Sequence, residues 1–262
     1  MISNTQLRTG GQILIDQLIR NNTELAFCVP GESYLDALDA MHDKKEILKL
    51  INARHEAGAA NMAEAYGKLT GKPGIAFVTR GPGACHAAIG VHIAFQDSTP
   101  MILFIGQVSR QAEGREAFQE IDYKQMFNPI AKWVTQIDNA ERIPETVSRA
   151  FRTALSGRPG PVVVALPEDM LKDETSAQLV PNFTKEKSDV RTASVEKLKE
   201  LFSKSKRPLL LLGGGSWSDK SVNSICKFAK NNNLPIATTF RRLDCVTLKN
   251  ENFVGDFGTS GP

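Results

Sequence analysis

Short apolar runs separated by longer stretches with helical spacing dominate this chain, and that alternation leaves few folds open. LAFCV (25–29), ILKLI (47–51), GIAFVT (74–79), MILFIG (101–106) and PVVVAL (161–166) are apolar nearly throughout rather than at every second residue. Each therefore reads as a strand buried on both faces. Helices are expected between them, near 33–41, 54–70, 83–95 and 142–156, with a further strand around 130–136. Strands covered on both sides and joined through helices form an α/β fold, a doubly wound parallel sheet.

The pattern pauses at 171–193 (LKDETSAQLVPNFTKEKSDVRTA), which is polar, charged and without periodicity. Residues 1–170 thus read as one domain and 171–193 as a linker. The alternation resumes with a helix near 194–204, a strand PLLLLG (208–213), a helix near 218–231 and a strand PIATTF (235–240). An open sheet typically uses about four to six strands. Residues 194–262 are therefore expected to hold only the start of a second, Rossmann-like domain, with FVGDFGTSGP (253–262) as a loop.

Composition removes several function classes. The 32 basic and 29 acidic residues among 262 leave a net charge of +3, and no basic block offers a nucleic-acid surface. The longest apolar runs are far shorter than the roughly 20 residues a membrane helix needs. Cys28, Cys85, Cys226 and Cys245 have no close pairing, so neither a zinc site nor a disulfide framework is expected. Cys28 and Cys85 sit among apolar or small residues and read as buried thiols. A reducing cytoplasm and a soluble protein fit these features.

Open α/β sheets place their sites at the carboxyl ends of strands. Glu56, in INARHEAGAANMAEAYGKLTG (51–71), opens a helix directly after a buried strand, with Asn52 as its candidate N-cap. Ala57, Ala59, Ala60 and Ala63 would let another helix approach closely. A carboxylate in a first turn can also do no more than stabilise the helix dipole, so Glu56 alone decides nothing. TRGPGACH (79–86) joins a strand to a helix, and its glycines permit close approach of a flat ring or an anion. Its spacing matches neither the dinucleotide fingerprint nor the Walker loop, and a plain tight turn remains open. CVPGESYLDAL (28–38) and EAFQE (116–120) are further loop candidates. The four histidines supply no metal pair at helical spacing.

Taken in order, these segments resemble the pyrimidine-binding domain of thiamine-diphosphate-dependent enzymes, above all the acetolactate synthase family. The resemblance rests on VPG (29–31), RHE (54–56) with AGAA (57–60), GPGA (81–84), QDSTP (96–100), GQVSR (106–110), AFQE (117–120) and GRPGPVVVALPEDM (157–170). It continues through RPLLLLGGG (207–215) and LPIATTF (234–240), and so covers nearly the whole chain.

The resemblance implies that Glu56 bonds a ring nitrogen of the cofactor's aminopyrimidine and acts there as a general acid/base. It further implies that Pro30, Gly31, Pro82, Gly83 and His86 line the pyrimidine side. Phe118, Gln119 and Lys132 would approach the substrate region from a neighbouring subunit. Arg158 and the glycines Gly213 and Gly214 match positions near FAD. The reaction implied is carboligation or decarboxylation of 2-oxo acids, most like the conversion of pyruvate to 2-acetolactate. Magnesium and the cofactor's diphosphate would be held by a third domain, contributed by another subunit of a homodimer or tetramer. The isolated chain is then expected to be inactive. A related decarboxylase, a non-catalytic binding module and one half of a split enzyme remain alternatives. Two positions depart from the family pattern: Arg80 replaces a serine or threonine and His86 an asparagine. An arginine there could redirect the thiazolium or bind an anionic substrate.

Overall fold

A computed structural model describes residues 7–184, 189–215 and 217–258. The chain divides into two compact units, residues 1–185 and 186–262.

The first unit opens with β1 (Arg8–Thr9) and α1 (Gly10–Arg20), then alternates β2 (Leu25–Cys28), α2 (Leu35–Asp43), β3 (Lys49–Asn52) and α3 (Glu56–Thr70). It continues with β4 (Gly74–Val78), α4 (Pro82–Asp97), β5 (Met101–Gln107) and a short α5 (Tyr123–Phe127). β6 (Trp133–Gln136), α6 (Ile143–Leu155), β7 (Pro161–Pro167) and β8 (Glu174–Thr175) complete it. The order β3-β2-β4-β5-β7-β6 forms a six-stranded sheet, parallel throughout.

Side-chain alternation along these apolar strands feeds two separate cores. Ile75, Phe77, Ile102, Phe104, Val162 and Val164 face α1, α2 and α6, whereas Ala76, Val78, Leu103, Ile105, Val163 and Ala165 face α3 and α4. Strands buried on both faces need no polar alternation, which is why the runs are unbroken. The small residues of α3 act as the sequence implied: a Cβ added to Gly90 of α4 would lie 2.5 Å from that of Ala60.

The sheet order also fixes where a ligand can sit. From β2 the chain runs outward to β3, then crosses back to β4 on the other side of β2 and continues towards β5. Connections leaving the neighbours β2 and β4 therefore diverge, opening a crevice at their carboxyl ends. The loops at that crevice are 29–31 and 79–81.

Of the stretch read as a linker, 171–193, the leading part belongs to the first unit. Thr175 and Glu174 in β8 pair with Arg8 and Thr9, Val180 exchanges hydrogen bonds with Gln17, and Leu179 and Phe183 pack on the core.

The second unit holds α7 (Thr192–Lys204), β9 (Leu210–Leu212), α8 (Asp219–Asn231), β10 (Ile236–Thr239) and β11 (Phe253–Phe257). Its order β11-β10-β9 is parallel. The FVGDF segment, expected as a loop, is thus a strand: pairing with β10 overrides the low strand propensity of Gly255 and Asp256. The remainder of that expected loop, 259–262, lies outside the described residues. Among the described residues, no helix is long and apolar enough to cross a membrane.

Candidate active site

Glu56 stands at the first position of α3, immediately beyond the carboxyl end of β3. The N-cap is His55, whose Nδ1 accepts from the amide of Ala57 at 3.2 Å. Asn52, the expected cap, is turned to the sheet and accepts from the Cys28 thiol at 3.1 Å. Capping by His55 leaves the Glu56 carboxylate free to point across towards α4. Only 14% of that side chain is exposed.

Its two oxygens have different surroundings. Oε2 lies 2.8 Å from His86 Nδ1. Oε1 faces Gly83, where an added Cβ would stand 3.5 Å from it and 2.9 Å from Thr79 Cγ2. A side chain at Gly83 would thus crowd Thr79 and stand in contact with Oε1, while Oε2 is already engaged by His86. The rings of His55 and His86 stack with centroids 4.4 Å apart. Ligating atoms of His55, Glu56 and His86 lie within 4.8 Å of one another. His55 Nδ1 already accepts from the Ala57 amide, so His55 could face a shared ion only through Nε2.

The two crevice loops are packed into one wall. A Cβ on Gly31 would lie 2.4 Å from that of Thr79, so glycine there allows loop to meet loop. Ser33 and Thr79 share a hydroxyl hydrogen bond of 2.8 Å, and the Tyr34 hydroxyl donates to the Val29 carbonyl at 2.5 Å. Burial drives the Tyr34 hydroxyl far above the ordinary phenol range, with the Cys28 and Glu56 charges adding to it. It stays a neutral donor. Pro82, at the first position of α4, needs no amide partner there.

Gly81 has φ 59° and ψ −112°, a conformation that glycine tolerates. The space beside it, expected to admit a ligand, is filled by Gln119: an added Cβ would lie 2.7 Å from Gln119 Cβ. The Gly81 amide donates to the Tyr123 hydroxyl at 2.9 Å, whose own proton burial holds to about pH 12. Gln119 is therefore at the crevice, and Phe118 beside it is 75% exposed.

Arg80 departs from its expected roles. Its guanidinium, 10% exposed, is paired with Glu32 at 3.0 Å and Glu168 at 3.2 Å. A cation already facing two carboxylates is poorly placed to take a third anion or repel a thiazolium. Nothing in the spacing of residues 32, 80 and 168 announced this cluster; only the sheet order joins them.

Two other expected residues lie at the opposite, amino edge of the sheet. Lys132 precedes β6, and its ammonium donates to the carbonyls of Thr153 and, at 2.7 Å, Ser156 at the end of α6. Arg158 precedes β7 and donates through Nε to Ser98 Oγ at 2.6 Å, and through Nη2 to the Phe95 and Gln96 carbonyls at 3.2 Å. Both cap helix ends electrostatically. Gly213 and Gly214 lie in the second unit, after β9. A Cβ on Gly213 would meet Thr239 Cγ2 at 2.9 Å, while Gly214 has φ 73° with open space around it. Cys28 is buried as expected, but Cys85 is exposed.

Residues 8–126 match the family described as thiamine pyrophosphate enzyme, N-terminal TPP binding domain. Residues 195–262 match the central domain of the same enzymes. The acetolactate synthase large subunit of Haemophilus influenzae is 33% identical over 259 residues, covering 97% of this chain and 45% of that protein. That of Lactococcus lactis is 35% identical over 257 residues, covering 97% of this chain and 44% of its own length. The mitochondrial acetolactate synthase catalytic subunit of Saccharomyces cerevisiae is 33% identical over 247 residues, covering 90% and 36%. The chain therefore spans less than half the length of these relatives.

Proposed function

The chain belongs to the thiamine pyrophosphate enzymes, and from that membership we propose that it supplies the pyrimidine-binding share of an acetolactate synthase-like active site acting on 2-oxo acids. One observation carries the assignment: the largely buried Glu56 carboxylate has Oε1 beside the side-chain-free Gly83 and Oε2 engaged by His86. A carboxylate with one oxygen bordered by glycine suits the edge of a nitrogen heterocycle.

Thiamine diphosphate, when bound, supplies the electron sink that 2-oxo acid chemistry requires. Glu56 holds or gives up a proton at Oε1, towards a ring nitrogen. His86 occupies Oε2, so only one oxygen is offered and its direction is defined. Gly31 packs on Thr79, and Gly83 lies against both Thr79 and Glu56, so these residues border the Glu56 carboxylate. Hard magnesium ions prefer oxygen ligands and phosphate; the magnesium and diphosphate belong to a further domain, contributed across a subunit contact in an oligomer.

Flavin fits this chain less well. The Nε and Nη2 of Arg158 are committed to the end of α4, and packing against Thr239 accounts for Gly213. Among the described residues the open turn at Gly214 remains as a candidate contact, and no step of the reaction is assigned to FAD.

The test is Glu56→Gln in an enzyme assembled from this chain and a diphosphate-binding domain. Carbon dioxide release from pyruvate should fall by at least about a hundredfold, the scale of a general acid/base contribution. Wild-type turnover in the variant would overturn the proposal.

A further inference from the structure

We propose that Arg80 is a positioning residue that holds the Phe118–Gln119 tip in register with the Glu56 crevice. Its three donor nitrogens reach three separate connections at the carboxyl edge. Nη2 bonds Glu32 at 3.0 Å, just after β2; Nη1 bonds Glu168 at 3.2 Å, just after β7. Nε donates to the Phe118 carbonyl at 3.3 Å, in the long connection after β5. The planar, forked guanidinium satisfies all three directions at once, which a lysine ammonium on a flexible stem does not.

The tip needs such a restraint. Gln119 has φ 64° and Glu116 φ 55°, a left-handed conformation that costs a residue with a side chain roughly 1–2 kcal/mol. Strain of that kind persists only where surrounding contacts over-determine the backbone. Those contacts are the Arg80 bond to the Phe118 carbonyl and the seat of Gln119 against Gly81, one residue along from Arg80. Glu120 braces the other side, accepting from the amides of Gly114 at 2.6 Å and Ala117 at 3.0 Å. Phe118 remains 75% exposed, so the tip carries a large aromatic ring on a fixed backbone. Rigidity there sets what can approach the crevice; the pairing with Glu32 and Glu168 excludes Arg80 itself as the receptor of a substrate anion.

The geometric part of this inference stands without any cofactor, while its consequence for substrates rests on the function proposed above. Amide hydrogen exchange in the full chain separates the two. In Arg80→Gln, the Ala117 and Glu120 amides should exchange at least about tenfold faster, with the amides of β4 and β5 unchanged. Arg80→Lys should fall between, and millimolar guanidinium should slow exchange again in Arg80→Ala. Unchanged exchange at the tip, or equal acceleration across β4 and β5, would overturn the inference. Should the neutral variants fail to fold, Glu168→Gln tests the same latch from its partner, with the same expected pattern. In the assembled enzyme, Arg80→Lys should raise KM for the 2-oxo acid several-fold with little change in thiamine diphosphate affinity. Weakened cofactor binding with unchanged KM would instead place Arg80 in the cofactor site and count against a role at the tip.

Discussion

His86 and Glu56, thirty residues apart, meet through a 2.8 Å contact between Nδ1 and Oε2 that ties the start of α4 to the start of α3. A carboxylate oxygen only accepts, so a neutral His86 must carry its proton on Nδ1. His55, stacked against it, has the opposite requirement: its Nδ1 accepts from the Ala57 amide, which leaves the proton on Nε2. Long-range 1H–15N correlation spectra of the neutral rings should therefore show two opposite tautomers in one stacked pair. Glu56→Gln should convert His86 to a mixture and leave His55 as it is. Identical tautomers in the wild-type chain would contradict the geometry described here.

Gly83 and Gly71 separate space from backbone strain. Gly71 ends α3 at φ 69° with nothing near its missing side chain, so Gly71→Ala should cost about 1 kcal/mol of stability through strain alone. Gly83 is an α4 residue without that strain, but its added methyl would press on Thr79 and stand in contact with Glu56 Oε1. Gly83→Ala should cost about 1–3 kcal/mol by overpacking and weaken thiamine diphosphate binding in the assembled enzyme by at least about tenfold. Urea denaturation and calorimetry read the two effects separately. Gly71→Ala should leave binding unchanged.

The contrast between such residues shows what the amino-acid order could convey. Doubly buried strands announce themselves through unbroken apolar runs, and β2, β4, β5 and β7 follow them to within a few residues, whereas the edge strands β3 and β6 are only partly buried. The place of Glu56 at a helix start was legible because a strand and an alanine-rich helix are contiguous in the chain, although the cap is His55 rather than Asn52. The Arg80 cluster was not, because Glu32, Arg80 and Glu168 follow three different strands and only the order β2-β4-β5-β7 brings them together. The helix-end contacts of Lys132 and Arg158 were hidden for a related reason. Their motifs are local, yet each side chain turns to a helix end at the amino edge of the sheet. β11 was missed because its pairing with β10 supplies what Gly255 and Asp256 do not.

Lys132 offers a direct trial of the helix-end contact. Its ammonium satisfies the terminal carbonyls of α6, where a cation also complements the helix dipole. Lys132→Ala should lower the stability of the first unit by about 1–2 kcal/mol, measured by urea unfolding followed through Trp133 fluorescence. A residue that worked on substrate would leave the unfolding midpoint alone and alter turnover. Loss of turnover at unchanged stability would return Lys132 to the active site.

The thiols give a last prediction, in which burial sets both reactivity and pH dependence. Cys28 is wholly buried in β2, and burial pushes its thiol from an ordinary 9.0 up to about 11, against a smaller lowering by its contact with Tyr34. Cys85 on α4 is exposed. Iodoacetamide at pH 8 should therefore label Cys85 in the native chain and reach Cys28 only in denaturant, as peptide mass mapping would show. The same raised value has a thermodynamic side. A thiol held neutral by folding contributes stability that is complete below its unfolded value near 9 and drains away as pH rises through about 11. Burial raises Cys245 in the same direction, and Tyr34 and Tyr123 extend the loss once the pH passes the ordinary phenol range. Urea midpoints should thus be level from pH 7 to about 8.5 and fall steadily beyond pH 9. Cys28→Ala should begin from a lower midpoint and show a shallower alkaline slope. An equal slope in that variant would mean that the Cys28 thiolate is tolerated in the folded sheet, contrary to its burial.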